Sequence, residues 1–112
     1  MKVTRLLDLE DRKNPHGVTV KTVYDHDSAQ AVHITLEPGQ ELKRHVTPVD
    51  VFFYILEGKG QVEIGDEVRE VDKDTVVDSP ANIPHRLMNP FRETMRFLVV
   101  KAPRPDAKSK LL

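Results

Sequence analysis

Short apolar runs, each cut off by glycine, proline, asparagine or aspartate, constrain this chain more than any other feature. Residues 18–24 follow the turn Asn14-Pro15-His16-Gly17, and residues 31–36 stop at Pro38-Gly39. Residues 51–56 form an unbroken apolar run that ends at Glu57-Gly58. Residues 61–64 and 67–71 flank Gly65-Asp66 as a hairpin, since a tight turn of this kind matches the twist of the strands it joins. Residues 75–79 stop at Pro80, residues 85–88 stop at Asn89-Pro90, and residues 94–101 form a last strand. The one helical candidate is a short turn at residues 6–11. Many short strands separated by regular turn signals predict an all-β fold, a small antiparallel sandwich or barrel.

A chain of 112 residues buries one core, because two units of half that length would each bury too little apolar surface. Residues 1–101 are read as that single domain, the N-terminal strands included. Residues 102–112 carry Pro103 and Pro105 among the basic residues Arg104, Lys108 and Lys110, and are expected to form a flexible tail. The 17 Lys and Arg balance 18 Asp and Glu, which argues against a phosphate-tracking nucleic-acid binder. Cysteine is absent, so disulfides, thiolate nucleophiles and cysteine-based zinc sites are excluded, and histidine and carboxylates must carry any metal chemistry. No window of about 18 apolar residues suits a membrane span, and Asp8 and Glu10 interrupt the start as a signal peptide. A cytoplasmic protein with no membrane partner is the expectation.

The run at residues 51–56 is apolar on both faces, with Val51, Phe53 and Ile55 on one side and Phe52, Tyr54 and Leu56 on the other. An antiparallel strand in a lone sandwich usually has one wet face. Cover for the second face comes either from a second copy, giving a homodimer through Phe52, Tyr54 and Leu56, or from another part of the same chain.

Two spacings stand out. Gly39 is followed after five residues by His45, then by the apolar strand to Gly58, and Pro80 stands five residues before His85, which stands four before Asn89. Together these positions resemble the two sequence motifs of the cupin superfamily: glycine, five residues, His-x-His, three or four residues, glutamate, six residues, glycine; and glycine, five residues, Pro-x-Gly, two residues, histidine, three residues, asparagine. The resemblance spans residues 31 to 101 and implies an antiparallel double-sheet jelly-roll barrel. Asp74 and Asn82 stand where the second motif has glycine, and both residue types tolerate the left-handed backbone.

Other departures fall on chemistry. Thr47 stands where the second histidine of the pair belongs and Val51 where the glutamate belongs, so that His45 and His85 alone remain of the four metal ligands the resemblance implies. Alternate residues on a strand share a face, so Thr47 still faces the interior, but a neutral hydroxyl is a poor ligand beside imidazole or carboxylate. Asp50 is a possible substitute carboxylate if the segment after Pro48 is a loop; strand parity would turn it away. His33 is a possible third nitrogen if the polar face of its strand lines the pocket, with Val51, Phe53 and Leu87 as further lining. His16 and His26 sit in turns and are read as surface residues.

The resemblance therefore implies a small single-domain cupin that binds a divalent transition metal (Ni, Zn, Mn or Fe), or a small polar ligand directly, in the barrel mouth through His45 and His85. The alternative is a metal-dependent oxygenase or isomerase acting on a small molecule. Metal-free acid–base isomerisation with a pocket histidine as base is a third reading, permitted because imidazole titrates near neutrality.

Overall fold

The computed structural model describes residues 1–106 and 110–112. A 3-10 turn at Leu6–Asp8 leads into strands β1 (Thr19–His26), β2 (Ala29–Leu36), β3 (Glu41–Val46), β4 (Val51–Glu57), β5 (Lys59–Ile64), β6 (Glu67–Asp72), β7 (Val76–Ser79), β8 (His85–Met88), β9 (Met95–Lys101) and β10 (Lys110–Leu111). They form two five-stranded sheets of order β1-β2-β9-β4-β7 and β10-β3-β8-β5-β6, with every pairing antiparallel. This is the double-sheet jelly-roll barrel that the motif resemblance implied.

Burial follows strand parity. Ile34, Phe97 and Ile55 pair across β2, β9 and β4 and all point inward, as do Leu42, Leu87 and Val62 across β3, β8 and β5. Phe53, Phe97, Ile55 and Leu87 are fully enclosed. Burying side chains of this size is worth roughly 1.5–3 kcal/mol each, which makes this inner seam the main source of stability. β6 sits at a sheet edge and carries Glu67, Arg69, Glu70 and Asp72, whose charges discourage pairing with another chain.

The motif residues that carry no chemistry hold the turns. Gly39 N–H donates to the Asn89 carbonyl at 2.8 Å and Asn89 N–H to the Gln40 carbonyl at 3.0 Å, while the Asn89 side-chain amide donates to the Leu36 and Glu93 carbonyls. Asn89 thus clamps the β2–β3 loop to the β8–β9 loop at the end of the barrel away from the histidines. Asp74 and Asn82 both have φ of +63°, the left-handed backbone expected at these glycine positions. Gly58 combines φ of +73° with the Thr94 carbonyl lying where a Cβ would be, so two separate constraints require glycine there.

The segment Glu41–Val46 is a strand that the alternation of residues does not announce. Beyond residue 101, where the sequence reading places a tail, Lys110–Leu111 pair with Val46 and His45. No helix among the described residues is long and apolar enough to cross a membrane.

Candidate metal centre in the barrel mouth

His45 on β3 and His85 on β8 are direct cross-strand partners. A register shift between Leu42 and His45 makes this possible. Leu42 points inward, and simple alternation would carry residues 44 and 46 inward and His45 outward; one extra residue on β3 reverses the parity and turns His45 to the interior. The bulge also takes Lys43 out of the ladder, and its peptide groups are used by two histidines. The Lys43 carbonyl accepts from His45 Nδ1 at 2.6 Å, and the Lys43 N–H donates to His16 Nδ1 at 2.7 Å.

The two imidazoles meet inside the barrel with Nε2 of His45 3.0 Å from Nε2 of His85. Both rings are nearly enclosed, at 7% and 2% exposure. Thr47 Oγ1 lies 3.2 Å from His85 Nε2, and the hydroxyl of Ser79 lies 2.7 Å from His85 Nδ1. Phe53 closes the floor, its ring edge-on to His85 with centroids 5.3 Å apart.

Proton positions follow from the fixed groups. A carbonyl only accepts, so His45 Nδ1 carries a proton and its Nε2 presents a lone pair. His85 Nε2 is then the donor of the pair, and the Ser79 hydroxyl donates to His85 Nδ1. A hydroxyl can also accept, so the same contact serves the other His85 tautomer, with Nδ1–H donating to Ser79 and Nε2 free to ligate. Burial keeps the rings neutral: His85 is pushed down to about 3, first by desolvation and then by the nearby charges of His45 and Lys101, and His45 is lowered chiefly by desolvation.

These residues fit a metal ion in part. Two nitrogens each about 2 Å from one ion lie about 3 Å apart when they meet near a right angle, and each ring has an acceptor available at its far nitrogen, the arrangement that orients histidine ligands. A third ligand is a different matter. Among the described residues no group of three His, Cys, Asp or Glu gathers around one point.

The structure does not bring Asp50 or His33 to the pair. Asp50 is exposed, and its Oδ1 accepts the Ala81 N–H at 2.9 Å, tying the loop before β4 to the loop after β7. His33 pairs in register with Lys21 and Leu98 on the outward face of its sheet, because the interior takes the apolar face of Val32, Ile34 and Leu36. There its Nε2 accepts from Arg96 at 3.0 Å, while its buried Nδ1 has no partner. Thr47, Val51, Phe53 and Leu87 all point inward, with Thr47 in contact with His85.

Three further residues belong to the site. His16, read as a surface residue, is half-buried with its ring 5.3 Å from that of His45, and burial first, then His45 and Lys43, pushes it down to about 4. Its Nδ1 lone pair is taken by Lys43 N–H, so it covers the pair rather than ligating. Ser79, Val51 and Lys101 form one inward row across β7, β4 and β9. His26, by contrast, is exposed against Tyr24, the surface position expected, although it ends strand β1 and does not lie in a loop.

The cupin domain profile Cupin_2 matches residues 32–101. The chain is 25% identical over 97 residues to the uncharacterized protein MJ0764 of Methanocaldococcus jannaschii, covering 86% of this chain and 84% of that one. Among solved structures, TT1209 from Thermus thermophilus matches with a TM-score of 0.80 at 32% identity over 94% of this chain and 100% of that chain. The polyketide cyclase RemF from Streptomyces resistomycificus reaches 0.85 at 20% identity over 100% and 85%, a likeness of fold alone. A profile match over most of the chain, laid on two sheets whose motif residues fall at the expected turns and in the mouth, shows that the chain belongs to the cupin domain family.

Proposed function

We propose that this cupin holds a divalent transition-metal ion, nickel, zinc, manganese or iron, in the barrel mouth between Nε2 of His45 and Nε2 of His85, with water or a small molecule completing the coordination. The observation that carries the reading is the pair itself: two Nε2 atoms 3.0 Å apart, each ring braced at its far nitrogen by the Lys43 carbonyl or the Ser79 hydroxyl. Neutral rings are what ligation requires, and burial supplies them. A bound ion would supply Lewis acidity toward a small molecule at the remaining positions. The chain's own part is to orient the pair, hold the His85 proton at Nδ1 against Ser79, and exclude water through Phe53 and Val51. With two side-chain nitrogens the site is a weak one.

The oxygenase or isomerase alternative rests on the same retained pair and needs further ligands that no His, Cys, Asp or Glu cluster among the described residues supplies. The reading extends to a homodimer. Tyr24, Ala31, Val100 and Phe52 form one row across β1, β2, β9 and β4 on the outward face, with Tyr24 and Phe52 exposed, a surface suited to a second copy of the chain.

The test is Thr47→His, which places a third imidazole beside His85 on a backbone already in position. Thermal unfolding with and without nickel or zinc should show a larger metal-induced stabilisation in the variant than in the parent, since an ion that binds only the native state stabilises it. Equal shifts in the two proteins would contradict the reading.

A further inference from the structure

Lys101 ends β9 with its side chain on the inward row, directly opposite Val51. Parity along β9 settles the direction: Met95, Phe97 and Val99 are buried, and Lys101 continues their face. Lysine in an interior normally has a carboxylate partner, because an unpaired charge is costly to desolvate. Among the described residues the Lys101 side chain makes no hydrogen bond or ion pair, and it is only partly buried. Its charge reaches both histidines, and desolvation lowers its own pKa.

The residue opposite makes this informative. Val51 occupies the position at which the motif has glutamate, and cross-strand partners have Cβ atoms about 5 Å apart, within ion-pairing reach of a lysine. Among the described residues the cation of such a pair is present and no anion is paired with it. Val51 pairs with Lys101 and His45 with His85 at the mouth end of the two sheets, and no described carboxylate pairs with Lys101, so a ligand is left to supply the negative group.

We infer that the mouth takes a small carboxylate, with the Lys101 ammonium as its counter-charge and the face of Val51 against its apolar part. This rests on reading the mouth as a binding site, and it names the class of ligand. A single ammonium beside nearly enclosed imidazoles suits a planar monoanion better than a phosphate, which brings more charge and a larger hydration shell than one cation offsets.

Calorimetric titration of acetate, with inorganic phosphate as the comparison, into metal-free and nickel-loaded protein tests this. Acetate should bind the parent in preference to phosphate. Lys101→Met should weaken acetate binding at least tenfold and raise nickel affinity, since it removes a positive charge that acts on both histidines. Val51→Glu should also abolish acetate binding, because the new carboxylate takes the ligand's place opposite Lys101. A readout on the parent needs neither variant: reductive methylation of Lys101, followed by peptide mass spectrometry, should slow when acetate is added. Equal acetate affinity in the parent and Lys101→Met, a preference for phosphate, or methylation indifferent to acetate would each overturn the inference. The two readings fail separately: nickel bound through His85 with acetate indifferent to Lys101 leaves the metal site and removes the carboxylate. Acetate bound through Lys101 by a parent that does not bind nickel does the reverse.

Discussion

Replacing Ser79 with alanine removes one oxygen atom and tests whether the far side of His85 is held as the geometry requires. The Ser79 hydroxyl is 2.7 Å from His85 Nδ1, and the two residues are 1% and 2% exposed, so no bulk water reaches the vacated position. A buried polar atom stripped of its partner costs about 1–3 kcal/mol, whichever tautomer His85 adopts. For a domain of this length about 1 kcal/mol corresponds to about 5 °C, so Ser79→Ala should lower the melting temperature by about 5–15 °C. The loss of orientation should also lower metal affinity by about 10–100-fold, the usual cost of removing the group that braces a histidine ligand. Differential scanning fluorimetry and nickel titration read the two effects. A variant that melts within about a degree of the parent and binds nickel equally well would refute the assignment of Ser79 as the brace.

His85 at about 3 and His16 at about 4 both lie below the ordinary 6.5, so the unfolded chain takes up protons that the folded chain refuses, and their contribution to stability is complete above pH 6.5 and is lost as pH falls toward 4 and then 3. Urea midpoints should therefore fall on acidification, less steeply in His16→Gln; an equal slope would contradict the burial of His16. Gly58→Ala should cost about 2–5 kcal/mol, from left-handed backbone and a clash with the Thr94 carbonyl, against about 1–2 kcal/mol for Gly39→Ala, where a Cβ meets nothing within 4 Å. Urea unfolding would measure the difference, and equal costs would show that the close approach is absent. Phe52→Asp should leave the fold intact and convert a dimer to a monomer by light scattering; a parent that is monomeric at all concentrations would remove the second copy.

The strands that alternate cleanly were legible from residue types, and so were the left-handed turns at Asp74 and Asn82. β3 was not, because Glu41-Leu42-Lys43-Arg44-His45-Val46 breaks alternation at the bulge that aims His45 inward. The feature that builds the site is thus the one that hides its strand. His16 looked like a turn residue because its partner, the Lys43 N–H, is 27 positions away. Lys101 was within reach of parity, since residues 95, 97 and 99 are apolar on the face it shares; reading the strand as ending there concealed it. The inward face of β2 was decided by hydrophobicity, which sent His33 outward. The loop at Asp50 was decided by a backbone donor, Ala81 N–H, that no local pattern reveals.

Whether His45 and His85 together form one cation site is tested most directly by titrating tag-free, metal-stripped protein with nickel or zinc, in parallel with His85→Ala. Saturable binding of one ion per chain by the parent, weakened at least tenfold in the variant, is the predicted result. Parent and variant binding the ion with equal affinity, or neither binding it, would contradict a shared site.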